Sequence, residues 1–468
     1  MINSKLKSNI LIVLILVLAT FLRFDRIGSL MGFIGDQGWF YLSARNMLLT
    51  GSIPLVGITS SHTWLHQGPL WTYMLSVALF LSKFNPVSGA ILTAGIGIVT
   101  VYFIYRFGKE FFSKEFGLIA AFLYASSPLI VLHARFAYHT SPIPLFVLLF
   151  LYAICRFIKG NSFYFPVSLF ILSLLYNFEL ATVVFIPILI FVLFYGFYNK
   201  EKWYKNLLNS RIIILSMIMF VVPMIPILIY DSGHGYPQTI KYMGWFVYKV
   251  LQVIHIVVPR EEHHESLSVL SQFFFDKYQL FAFIQSLPLS ICLFFVSICV
   301  VTYRVARSIA KPIGLIFLCT VIPLLGFFIA GARSEAYLPM LFPGLSLCLS
   351  YLFYLIYIKK KTLGLILILF VGLSNAYFLY TNNYFMQQKN GYGLKFTTRL
   401  RITNEILHIA NGQKYNLIFV GPGSEFVSST MNYEYLTWWL GKNPPAAKKT
   451  DTKIYLRENG EKSAISVK

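Results

Sequence analysis

Apolar runs long enough to cross a bilayer recur along most of this chain, and they restrict its fold more than any other feature. They occupy 9–24, 86–106, 116–133, 141–158, 163–179, 180–198, 211–230, 281–303, 312–330, 337–358 and 362–381. Runs of roughly 16–22 residues match a hydrocarbon core of about 30 Å when each residue adds about 1.5 Å of helix. Inside hydrocarbon every backbone N–H and C=O needs an internal partner, so such segments fold as helices. Only 12% of the 468 residues are charged, about half the share expected of a soluble domain. The expectation is an all-α polytopic membrane protein. The segment from Ser4 to Phe24 starts like a signal peptide, with Lys5 and Lys7 ahead of an apolar stretch. Arg23-Phe24-Asp25-Arg26 then stands where a small-residue cleavage site belongs, so it reads as an uncleaved first helix.

The net charge of +21 does not indicate a nucleic-acid partner, because the bases form no patch with interleaved aromatics. Many lie in short clusters between apolar segments, the pattern of cytoplasmic loops. A shorter apolar segment, 69–84, begins at Pro69 and decides the topology. If it lies in the interface or re-enters, Arg106/Lys109/Lys114, Arg156/Lys159, Lys200/Lys202/Lys205/Arg211, Arg304/Arg307/Lys311 and Lys359/Lys360/Lys361 all face the cytoplasm. If it crosses, all five clusters move outside, which the positive-inside rule disfavours. The first arrangement gives about eleven spans in a domain over 1–381. The segments 25–85, 134–140, 231–280 and 331–336 then lie outside, with Glu179 in a tight outer hairpin. The polar tail, 382–468, is expected outside as a small α/β domain. It has helical spacing over 397–410, strands at 415–420 and 453–456, and an aromatic-rich stretch at 433–440. The five cysteines sit in apolar segments at spacings that suggest neither disulfides nor zinc.

No span carries an ionisable residue at its centre, where ion-coupled transporters place theirs. Chemistry is therefore sought at the outer interface. The first outer loop holds Gly35-Asp36-Gln37-Gly38-Trp39-Phe40-Tyr41, an acid among glycines and aromatics in an acid-poor chain. Asp36 precedes an expected amphipathic helix, Trp39 to Leu49, ended by Gly51. It serves there as a cap for free N–H groups, as a catalytic group, or as both. His62 and His66 follow, just before Gly68-Pro69, as ligands, proton carriers or plain polar loop residues. In His133-Ala134-Arg135-Phe136-Ala137-Tyr138-His139-Thr140, Arg135 must meet an anion or snorkel to the headgroups. Arg260-Glu261-Glu262-His263-His264-Glu265 looks like a metal cluster, but contiguous ligands converge poorly on one ion, and a solvated charged turn fits better. Arg333-Ser334-Glu335-Ala336-Tyr337-Leu338-Pro339 opens a span with a guanidinium able to fork onto a phosphate. No Walker loop, nucleophile elbow or zincin motif occurs.

Taken in order, the first-loop Asp, the aromatic helix, Gly-Pro-Leu, Ser-Pro then Arg, and a late Arg…Tyr-Leu-Pro resemble the GT-C glycosyltransferases. The likeness is to the family 39 group related to protein mannosyltransferases and lipid A aminoarabinose transferases, over roughly residues 8–381. The resemblance implies a GT-C fold in the cytoplasmic membrane with an extracytoplasmic site. It also implies a polyprenyl-phosphate sugar donor, membrane lipid as a partner, and a protein, lipid or glycan acceptor carrying a hydroxyl. Asp36 corresponds to the family's first-loop acid and is the candidate base for an inverting transfer. Many relatives have Asp-Glu where this chain has Asp36-Gln37. Gln67-Gly68-Pro69-Leu70 stands at the family's His-Pro-Pro-type motif, and His139 stands where many relatives have an acid or Asn. The candidate donor-phosphate and lipid residues are Arg333, Arg135, Arg260 and Tyr337. The candidate acceptor or sugar residues are Gln37, Tyr41, His66, His139 and Glu179. A divalent metal is left open, and no other cofactor is implied. Two alternatives compete with this reading. One is a ligase- or polymerase-like enzyme of lipid-linked sugars, which needs paired Arg and His in a long late outer loop; here 231–280 offers a single arginine, Arg260. The other is a lipid or solute transporter, which the uncharged span centres oppose.

Overall fold

The computed structural model describes residues 4–60, 64–253, 256, 265–306, 311–381, 394–441, 452–459 and 462–467. A helical membrane body is followed by a small α/β domain. Each expected span has a helix. Among the described residues, seven helices are long and apolar enough to cross a membrane, or eight if one bent pair is a single span. That pair is Lys114–Ser126 and Pro128–Ala134, bent by 68°. The break falls at Ser127-Pro128, where proline removes a helix N–H and turns the preceding residue extended. The expected spans at 141–158 and 163–179 are helices of only 16 and 15 residues.

The first helix, α1 (Ser4–Phe24), leads through a short turn to α2 (Gly35–Thr50). Helix α2 begins four residues earlier than the apolar spacing predicts, because Gln37 Oε1 accepts the Ile34 N–H at 2.9 Å and closes the first turn. Asp36 thus lies inside that turn rather than at a cap, and no side chain caps the helix from the N-cap position. Next come α3 (Leu70–Leu81), of 12 residues, and α4 (Val87–Phe111). At about 1.5 Å per residue, α3 is too short to cross a bilayer core, as an interfacial or re-entrant segment requires. It packs against α2, α4 and α5 (Tyr164–Phe178). Glu179 ends α5 in an extended conformation, and a 3-10 turn, Leu180–Phe185, leads into the next span. Helix α5 also packs along α6 (Ser210–His234), which leaves most of its own surface to lipid.

The tail has α7 (Phe396–Ala410), β1 (Asn416–Phe419), α8 (Met431–Gly441), β2 (Lys453–Asn459) and β3 (Lys462–Val467). The sheet order is β1-β2-β3. Strands β1 and β2 are parallel, pairing Asn416 with Lys453, and β2 and β3 are antiparallel, pairing Asn459 with Lys462. The strand β3 was not expected from the sequence. Ile402, Ile406, Leu417, Tyr433, Ile454 and Leu456 form the core of this domain. Buried Arg399 and the Tyr433 hydroxyl both reach Glu458, at 3.2 and 2.5 Å, and close its inner side. Helix α8 lies directly on α2 and fastens the domain to the membrane body. All five cysteines are free.

Candidate active site

The glycines around Asp36 have a steric origin. A Cβ on Gly35 would lie 2.1 Å from the carbonyl oxygen of Ser428, and one on Gly38 would lie 2.1 Å from the amide nitrogen of Asn432. Helix α2 is therefore bare on the side where the tail's backbone presses against it. Asn432 Nδ2 then donates to the Phe33 carbonyl at 2.9 Å, and the Tyr435 hydroxyl donates to the Phe84 carbonyl at 2.7 Å.

Asp36, half-buried, accepts two hydroxyls. The Tyr138 hydroxyl reaches Oδ2 at 3.0 Å, and the Ser428 hydroxyl reaches Oδ1 at 2.5 Å. Burial, and then the neighbouring Asp36 carboxylate, push the Tyr138 hydroxyl well above its usual range. It stays protonated at neutral pH and remains a donor. The Tyr138 ring is wedged between Phe40, Phe136 and His139, with the His139 ring centroid 4.2 Å away.

His139 continues from Tyr138 into a second buried cluster. Its Nε2 is 3.1 Å from Glu179 Oε2. Because a carboxylate only accepts, Nε2 carries the proton in this bond. Gln67 Nε2 donates to both Glu179 oxygens, at 3.3 and 3.2 Å, and the Ala181 N–H donates to Oε1 at 3.3 Å. Gln67 Oε1 accepts the Leu180 N–H at 3.2 Å. Gln67, His139 and Glu179 are each at most 7% exposed, so Glu179 is a buried carboxylate held by donors on three sides. Those donors stand in for the water that burial removes. Gly68 makes this possible: a Cβ there would meet the Asn177 backbone and side chain at 2.6 Å. The hairpin that brings Gln67 in is closed by Gly57 N–H to Gln67 C=O and Gln67 N–H to Ile58 C=O bonds.

The structure distributes the other expected residues more widely. Gln37 is fully buried, with Nε2 donating to the Ala137 carbonyl at 3.2 Å and Oε1 closing α2. It ties α2 to the loop that carries Tyr138 and His139. Tyr41 is fully buried against Phe33 and Tyr435, and its hydroxyl donates to the Pro86 carbonyl at 2.7 Å. His66 faces away from the cluster, with Nδ1 3.3 Å from Gln238 Nε2 and its ring against Tyr230. Partial burial, then nearby His234, lower its pKa.

Arg135 is buried and turns inward to backbone carbonyls. Its Nη1 donates to the Leu22 and Arg23 carbonyls at 3.0 and 3.1 Å, and Nη2 donates to the Asp25 carbonyl at 2.7 Å. It closes the C-terminal end of α1, whose last carbonyls lack helical partners and carry the negative end of the dipole. Its Nη1 and Nη2 are thus engaged by backbone carbonyls, where the sequence suggested a donor-phosphate ligand. Arg333 remains exposed at the mouth of a cleft of about 460 Å³ lined by Glu265, Phe273, Gly331 and Ala332. Its Nε and Nη2 both reach Glu265 Oε1, at 2.9 and 2.7 Å. Nearby, Lys277 pairs with Glu335. Half-buried Tyr337 stands four residues on from Arg333, in the 3-10 turn Glu335–Leu341 that opens the next span. Arg260 and His62 lie outside the described residues. Among the described residues no group of three or more His, Cys, Asp or Glu side chains is arranged to hold a metal ion.

Sequence reasoning missed three participants. Tyr138 and Gln67 lie within the motifs themselves, but their neutral side chains suggested no role of their own. Ser428, 392 residues from Asp36, carried no local signal.

Residues 66–230 match the family model described as dolichyl-phosphate-mannose-protein mannosyltransferase. No curated protein sequence matches the chain. Among solved structures, the oligosaccharyltransferase AglB of Archaeoglobus fulgidus, in complex with an inhibitory peptide and a dolichol-phosphate, is similar over 96% of this chain, with a TM-score of 0.57 at 14% identity. The chain spans 62% of the length of that protein. ArnT of Cupriavidus metallidurans, bound to undecaprenyl phosphate, is similar over 92% of this chain and 75% of its own, with a TM-score of 0.53 at 10% identity. Identities this low establish a shared fold and leave the reaction to be argued from the side chains.

Proposed function

We infer that this chain, which has the GT-C fold, is a membrane glycosyltransferase that moves a sugar from a polyprenyl-phosphate donor to an acceptor hydroxyl on the outer face. The observation that carries this reading is Asp36. It is a half-buried carboxylate at the start of an interfacial helix, held by one rigid hydroxyl and facing a second. A general base must reach the proton it takes, at about 2.6–3.2 Å; Tyr138 holds Oδ2, which leaves Oδ1 to meet an acceptor hydroxyl in place of Ser428. The acceptor oxygen attacks the anomeric carbon with inversion, the bond to the lipid phosphate breaks, and the proton passes to Asp36.

The buried His139–Glu179–Gln67 cluster forms the floor behind Tyr138 and orients the loop that presents it. The leaving phosphate gathers charge as the bond breaks, and a forked guanidinium at headgroup height stabilises it. Exposed Arg333 suits this role once the phosphate replaces Glu265, with Tyr337 beside it; Arg260 belongs to the same outer loop as Glu265. Anchoring of the donor by its lipid tail supplies proximity. The family model over 66–230 and the lipid phosphates named in both similar structures support this donor class.

The test is transfer of labelled sugar from synthetic polyprenyl-phosphate donors by the purified protein. Asp36→Asn is expected to abolish transfer while lipid phosphate still binds. Full activity in that variant sinks Asp36 as the base.

A further inference from the structure

Asp36 has one fixed oxygen and one replaceable partner. The Tyr138 ring is clamped by three aromatic neighbours, so the bond to Oδ2 belongs to the membrane body. The bond to Oδ1 comes from the tail. There, a primary hydroxyl donates to the candidate base at 2.5 Å, the arrangement a general base needs with its acceptor alcohol. Ser428 is 5% exposed, so its hydroxyl is held in this contact and not in solvent.

The tail is unevenly attached. Helix α8 is held by Asn432 on the Phe33 carbonyl, by Tyr435 on the Phe84 carbonyl and by the close approach to Gly38. Residues 421–427, ahead of the contact of Ser428 with Gly35 and Asp36, are not. Phe426 and Val427 are 63% and 75% exposed, Gly421 and Gly423 have φ of +112° and +91°, and the run from 421 to 430 is all turns and bends. A segment with few buried contacts opens locally at low free energy while its anchors stay put.

We propose that Ser428 Oγ occupies the acceptor-hydroxyl position of this site, and that segment 421–430 is a hinged wall which an incoming primary alcohol displaces. The proposal rests on Asp36 acting as the base. In the open state the acceptor O–H takes the place of Ser428 O–H at Oδ1. Its oxygen bonds to the anomeric carbon, the carbon–oxygen bond to the lipid phosphate breaks with its electron pair on the phosphate, and the proton goes to Asp36. With no acceptor present, Ser428 Oγ is itself placed to receive the sugar by the same bond changes.

The full-length protein in detergent, a labelled polyprenyl-phosphate sugar and 1,3-propanediol as the probe alcohol test this. Ser428→Ala removes one competing hydrogen bond and no packing, so KM for the probe alcohol should fall about fivefold with kcat no lower, a competitor of that kind being worth about 1 kcal/mol. Mass spectrometry of the tryptic peptide from Tyr415 to Lys442 provides a second reading. A sugar on Ser428 in the native protein, absent from Ser428→Ala and Asp36→Asn, also supports the assignment. Hydrogen exchange in the unmodified protein provides a third that needs no turnover: amides of 421–430 should open at least about tenfold faster than those of α8. An unchanged KM, or a fall in kcat/KM that marks Ser428 as a positioning residue, overturns the proposal, as does exchange in 421–430 as slow as in α8. If Asp36→Asn transfers as well as the native protein, or the native protein transfers no sugar, the reading of Asp36 falls and the proposal falls with it.

Discussion

Replacing Gly38 by alanine should loosen the tail from the membrane body. The added Cβ would sit 2.1 Å from Asn432 N, 2.3 Å from Met431 C and 2.4 Å from Asn432 Cα, all backbone atoms of α8. No side-chain rotation relieves such an overlap, so α8 itself must retreat by about 1 Å, and overpacking of this kind costs about 1–3 kcal/mol. The docking equilibrium then shifts about 5- to 150-fold, and the Asn432–Phe33 and Ser428–Asp36 bonds are the first to go. Hydrogen exchange followed by mass spectrometry should show the amides of α2 over 36–44 opening faster by that factor. Gly28→Ala is the control, because nothing lies within 4 Å of its Cβ and its φ is ordinary. Equal exchange in Gly38→Ala and Gly28→Ala would refute the steric account of the Gly35–Gly38 pair and the docking built on it.

Glu179→Gln weakens several charge-assisted hydrogen bonds, each worth about 1.5–3 kcal/mol. Initial rates of sugar transfer should fall about 10- to 100-fold, and native-like rates would remove Glu179 from the site. Arg135→Leu orphans the buried carbonyls of Leu22 and Arg23 and should cost about 1–3 kcal/mol for each. A lower denaturation midpoint is expected, with unchanged polyprenyl-phosphate affinity per folded molecule; a selective loss of affinity would restore Arg135 as a phosphate ligand. His66 has a folded pKa below its usual 6.5, so the unfolded chain binds its proton more readily. Its contribution is complete above pH 6.5 and is lost as the pH falls through the lower folded value. Amides of residues 57–60 and 64–67, corrected for intrinsic rates, should open more readily at low pH in the native protein and not in His66→Gln.

The membrane body was legible because its signal is local. Apolar runs report helices directly, and uncharged span centres point to chemistry at an interface and not inside the bilayer. Asp36, His139 and Glu179 were legible for the same reason, as ionisable groups in an acid-poor chain whose solvation demands explanation. The roles of Arg135 and His66 were not. A guanidinium near the interface satisfies itself on helix-end carbonyls or on phosphate equally well, and nothing in Ala134-Arg135-Phe136 says which lies closer. The start of α2 was misplaced because a glutamine, not the aspartate before it, closes the first turn.

The amino-acid order alone therefore determined a helical membrane body, a small polar domain after it, and an aspartate between glycines just after the first helix. Hydrophobic period and charge depend on near neighbours and survive without coordinates. Only the tertiary structure decided that those glycines make room for the backbone of residues 428–432, that Gln67 and His139 converge on Glu179, and that Asp36 is shared between Tyr138 and Ser428. Those contacts join segments up to 392 residues apart. Each rests on packing complementarity between surfaces whose sequences hold no trace of one another.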